Sequence, residues 1–155
     1  MESPKEYHSA LMSARPTFDS LRFARAGDDQ SGEVRLADLS RLIDVLVSDE
    51  GVVHYRIRGG MVTGRPVLKL DIDTVVVLRC QHCLEPYRHE MRINQVFPVA
   101  RNEAQLDLWE RDDPLLDALV ADPELDVLTL VEDEILLSLP VAPRHAEGEC
   151  EQAGF

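Results

Sequence analysis

With 155 residues the chain suits one domain, and a hydrophobic share of 45% supplies one core, filled by aliphatic residues because aromatics make up only 5%. Acids outnumber bases 29 to 16, and the net charge of −13 excludes a broad grip on phosphate backbones, which needs clustered Lys and Arg. Such a field attracts basic partners, or does no more than keep the chain soluble.

Residues 1–16 are polar, carry Glu2, Lys5, Glu6 and His8, and read as a flexible N-terminal segment without a secretory leader. No apolar run reaches the ~20 residues that cross a bilayer, so the expected location is the cytoplasm, with no membrane partner. Residues 17–142 read as a single α+β domain and 143–155 as a tail. Weak alternation over 17–26 suggests a first strand, and the Gly, Asp-Asp and Ser-Gly of 27–32 suggest a turn. Leu36, Leu39, Ile43 and Leu46 then form a helical stripe, with Ser31 as a candidate N-cap and Glu33 near the positive end of the dipole.

Val53, Tyr55 and Ile57 alternate with polar residues, predicting a strand that ends at Gly59-Gly60. Leu68, Leu70, Ile72, Thr74, Val76, Leu78 and Cys80 share one parity, so one face of a long strand is buried. Tyr87, Met91, Ile93, Phe97 and Val99 line one face of the next strand, and the two make an antiparallel hairpin joined by CQHCLEP. Residues 101–126 are acidic and carry two prolines, which predicts loop with one helical turn near 115–119 and Trp109 as a local anchor. Leu128, Val131, Ile135 and Leu139 form a second helical stripe, capped by Asp126 or Thr129 and stopped by Pro140. Glu132, Asp133 and Glu134 read as a solvated helix start, with partner recognition as the alternative. The fold class is therefore α+β: an antiparallel sheet, able to curl toward a barrel, with two amphipathic helices packed on its apolar face.

The C-x-x-C of Cys80 and Cys83 at the bend is the sharp motif. Two thiolates across a tight turn can face one ion, and zinc, the candidate cofactor, takes four N or S ligands. His82, His89, His145 and Cys150 are the further candidates, and Cys80, Cys83, His145 and Cys150 make a Cys3His set that would tether the tail to the bend. Cys80 also continues a buried parity, so a core thiol with no ion is the alternative. Thiol exchange wants a helix N-terminus behind the motif, whereas Pro86 and a strand follow here. No phosphate loop, dinucleotide fingerprint or serine elbow is present, so no catalytic residue and no small-molecule substrate is expected.

The blocks LRCQHCLEPYRHEM and LVEDEILLSLPVAPRH, followed by Cys150, resemble the YceD family, and the likeness covers roughly residues 20–150. It implies a non-enzymatic factor in ribosome biogenesis that supports synthesis, processing or stability of large-subunit (23S) rRNA, with ribosomal or ribosome-assembly proteins as partners. The positions of Cys80, Cys83, His145 and Cys150 belong to the family pattern. Two rival functions follow from the residues themselves. One is an RNA binder that uses Arg56, Arg58, Arg65, Arg79, Arg88 and Arg92 on a local basic sheet face, and the other is a C-x-x-C oxidoreductase.

Overall fold

In the computed structural model, which describes residues 15–145, the first described element is a two-residue strand that turns directly into a helix. β1 is Thr17–Phe18 and α1 is Ser20–Ala26, so the strand expected over 17–26 is mostly helical. The reason is local. Asp19 accepts from the Arg22 N–H at 3.2 Å, and Ser20, Phe23 and Ala24 make a buried i, i+3, i+4 stripe. Gly27, at φ 67°, closes the helix: its N–H donates to Ala24 O and that of Asp28 to Phe23 O, both at 3.2 Å.

The segment with turn-like composition is strand β2, Asp29–Arg35, at the sheet edge. Gly32 is tolerated there because the ring of Tyr55, directly opposite, covers it. Ser31 and Glu33 thus lie on a strand and cap no helix. The predicted helix after them shrinks to a 3-10 turn, Leu36–Asp38, and the single turn α2, Ser40–Ile43, though its leucines 36, 39 and 42 are fully buried.

β3, Val52–Val62, runs through Gly59-Gly60 instead of ending there. A Cβ on Gly59 would meet Phe23 O at 2.2 Å and Ala24 Cα at 2.8 Å, so the glycine admits the backbone of α1 against the sheet. The true turn is Thr63-Gly64, at φ 46° and 80°, a two-residue hairpin loop with left-handed backbone at both positions. β4, Arg65–Arg79, and β5, Pro86–Ala100, form the expected long hairpin, with Arg79 opposite Pro86.

α3, Glu103–Asp112, follows, so the acidic stretch read as loop carries a ten-residue helix with Trp109 inside it. Asn102 accepts from the Gln105 N–H at 2.9 Å, while Gln105 Oε1 accepts from the Arg101 N–H at 2.7 Å, a reciprocal cap. No residue of α3 is buried, which is why no apolar stripe announced it. Residues 115–119 form no helical turn, and Leu115 is 93% exposed. β6, Leu119–Val120, adds in parallel to β5, and β7, Leu125–Asp126, pairs with β1. α4, Val127–Ser138, has Asp126 as its N-cap, accepting from the Thr129 N–H at 3.1 Å.

The architecture is α+β, with a five-stranded sheet of order β2-β3-β4-β5-β6, antiparallel except for the last pair. β2 and β6 remain its edges, so the sheet does not close into a barrel. The even positions of β4 from Leu68 to Leu78 are buried, as their parity requires, with Tyr55, Ile57, Met91, Ile93 and Phe97 beside them. α1 and α4 supply the cover through Phe23, Ala24, Val131 and Ile135. Among the described residues no helix is long and apolar enough to cross a membrane.

Candidate metal centre

The bend between β4 and β5 is a tight loop closed on itself. The Cys80 N–H donates to Glu85 O at 2.9 Å, and the Leu84 N–H donates to Cys80 O at 2.8 Å. Leu84 sits at φ 68°, the left-handed region, and this reverses the chain so that both sulfurs face the same side. Cys80 is fully buried, and Cys83 is 3% exposed. The His82 N–H points at Cys80 Sγ from 3.4 Å, an arrangement that stabilises a thiolate, while the His82 side chain lies on the surface. The two thiols, with Tyr87 packed against them, form a small cluster separate from the main core.

The chain leaving α4 returns to this loop. The Gln81 N–H donates to Pro143 O at 2.8 Å, and Tyr87 hydrogen-bonds the Arg144 backbone. The Tyr87 and His145 rings lie 4.9 Å apart, and His145 Nδ1 is 3.3 Å from Cys83 Sγ. The ligand atoms of Cys80, Cys83 and His145 all lie within 4.8 Å of one another. Three of the four expected ligands are thus brought together across 62 positions of sequence between Cys83 and His145. Cys150 lies outside the described residues. His89 is not in the group and stands edge-on to Tyr87, with centroids 6.2 Å apart. Gln81, Tyr87 and Pro143 dock the returning chain without donating to an ion. Sequence patterns for ligands pass over such residues.

The acidic start of α4 is not a solvated face. Glu132 and Glu134 are 4% and 5% exposed. Glu132 Oε2 accepts from the Arg41 N–H at 2.8 Å and the Leu42 N–H at 3.0 Å, and its Oε1 from the Arg41 guanidinium at 3.1 Å. A carboxylate from α4 therefore satisfies the start of α2, which explains its burial.

Five of the six arginines expected to make a basic sheet face are engaged, and the sixth, Arg88, is exposed on β5. Arg56 grips Asp29 with both prongs, at 3.0 and 2.5 Å; Arg58 pairs with Asp71 at 3.1 Å and Arg92 with Asp73 at 2.9 Å. Arg65 stacks over the Trp109 ring at 4.3 Å, and Arg79 donates to Leu84 O at 2.8 Å. Trp109, half-buried, thus anchors α3 to the start of β4.

Comparison with known proteins gives one family and a relative along most of the chain. The family model described as large ribosomal RNA subunit accumulation protein YceD matches residues 68–154. The protein of that same description from Haemophilus influenzae is 30% identical over 141 residues, covering 87% of this chain and 78% of the relative. No solved structure matches.

Proposed function

The chain belongs to the YceD family, and from that premise we propose that it is a non-enzymatic accessory factor in the accumulation of large-subunit (23S) rRNA. The observation that carries this reading is the likeness to the Haemophilus influenzae protein along 87% of the chain, with a family match over residues 68–154 that takes in the bend and α4. The role belongs to the cytoplasm, where ribosomes are assembled. Action through ribosomal or ribosome-assembly proteins is supported by charge. At −13 the chain attracts basic proteins and repels a naked phosphate backbone. The three sheet arginines that are paired with acids do not offset this. A phosphate would have to displace Asp29, Asp71 or Asp73 from a formed ion pair before meeting Arg56, Arg58 or Arg92. Burial of both thiols and the strand that follows them argue against thiol exchange, which needs an accessible, activated sulfur.

The test is a bacterial strain lacking this chain. Its ratio of mature large- to small-subunit rRNA falls and is restored by the intact chain; an unchanged ratio would refute the role. Affinity capture from the same cells addresses the mode of action. Ribosomal or assembly proteins are recovered at low salt and released as salt rises, whereas retention of deproteinised rRNA alone would transfer the role to direct RNA binding.

A further inference from the structure

We propose that Cys80, Cys83 and His145 bind one zinc ion, which clamps the chain leaving α4 onto the bend between β4 and β5. This goes beyond the ribosomal role and is read out independently of it. A tetrahedral ion with Zn–S near 2.3 Å and Zn–N near 2.0 Å holds neighbouring donors about 3.5–3.8 Å apart. The three ligand atoms already lie within 4.8 Å of one another, and the Cys83–His145 pair is at 3.3 Å. Only small side-chain rotations separate this arrangement from coordination.

Three further features point the same way. Both thiols are buried side by side in a small cluster that stands apart from the main core. The His82 N–H aimed at Cys80 Sγ is a donor suited to a metal-bound thiolate. The returning chain is positioned by groups that donate nothing to an ion, Gln81 to Pro143 and Tyr87 to Arg144, so the imidazole is held in place in advance. Two thiolates and an imidazole make a donor set matched to a borderline-soft divalent ion, not to magnesium or calcium. Binding expels the two thiol protons and changes no oxidation state. The fourth position falls to water or to Cys150, which follows His145 by five residues and so by at most roughly 17 Å of chain.

The test uses the full chain, purified under reducing conditions without added metal. About one zinc per chain is expected by elemental analysis, as a structural site of this donor type retains its ion. The Cys80→Ser, Cys83→Ser and His145→Ala variants then lose most of it. Because such variants can lose their fold with the ion, the wild-type chain is also stripped with a chelator and titrated with Co2+ alone. A thiolate-to-cobalt charge-transfer band with the intense d–d absorption of a tetrahedral centre, saturating at one equivalent and displaced by zinc, supports the site. A Cys150→Ser chain that keeps tetrahedral cobalt but loses one thiolate's share of the charge-transfer band adds Cys150 as fourth ligand. An unchanged band gives that position to water. A zinc-free wild-type chain that develops no cobalt–thiolate band overturns the proposal, as does a folded Cys80→Ser chain with undiminished zinc.

Discussion

Glu132 shows how one buried side chain couples two elements. Its Oε2 is the acceptor for the Arg41 N–H, while the Leu42 N–H divides itself between Glu132 and Leu39 O. Glu132→Ala leaves the Arg41 N–H without that acceptor and removes the guanidinium partner, so urea unfolding should register a loss of about 1–3 kcal/mol. Asp133, beside it, also pairs with Arg41 but is 44% exposed, and Asp133→Ala should cost less than ~1 kcal/mol in the same assay. Glu134 behaves in the opposite sense. Burial pushes its carboxyl above the ordinary value of 4.5; Asp117 and Asp133 add to the shift, and a hydrogen bond with Gln95 opposes it. The folded chain therefore holds this proton more tightly than the unfolded one. Stability falls as pH rises from about 4.5 through the higher folded value, and the cost persists at neutral pH. Glu134→Gln should raise the melting temperature at pH 7, and the two proteins should converge once pH drops well below 4.5. A variant that melts lower than wild type at pH 7 would contradict the assignment.

At the scale of elements, the packing of α1 on β3 hinges on Gly59. A methyl group there would sit 2.2 Å from a carbonyl oxygen and 2.8 Å from a Cα, both backbone atoms that cannot rotate away. Gly59→Ala must push α1 off the sheet, and a cost of about 3 kcal/mol is expected. Gly60→Ala is the control: its Cβ would find side-chain atoms no closer than 3.8 Å, which is ordinary contact. Equal destabilisation by the two variants would show that the glycines matter only as flexible backbone. The same close approach explains why a Gly-Gly pair failed as a strand terminator. Glycine marks a turn and a tight backbone contact with the same letter.

For the whole molecule, the dominant quantity is charge. A net −13 on 155 residues repels itself and destabilises the compact state. Raising salt from about 0.01 M to about 0.15 M shortens the screening length from about 30 Å to about 8 Å. The melting temperature should therefore rise over this range, while association with a basic partner weakens. The exposed pairs Arg56–Asp29 and Arg92–Asp73 and the half-buried pair Arg58–Asp71 oppose the first effect only weakly, since solvent and salt screen ion pairs near the surface. A melting temperature that falls with salt would mean that these pairs outweigh the global repulsion.

Three features were legible in the sequence because they depend on neighbours along the chain. The parity of β4 and β5, the α4 stripe with Asp126 as one of its two candidate caps, and the C-x-x-C at a strand-to-strand bend follow from the pleat, the helical period and local hydrogen bonding. α1, β2 and α3 were misread where propensity and composition compete with packing. α1 offers only one short buried stripe, β2 borrows its hydrogen bonds and the cover for Gly32 from β3, and α3 buries nothing at all. Only the tertiary structure decided that Glu132 meets Arg41 across 91 positions and that His145 meets Cys83 across 62. Contacts of such separation leave no periodicity in the chain. They arise when a common core brings distant segments to one place, and here that place is the bend between β4 and β5 and the turn beneath α4.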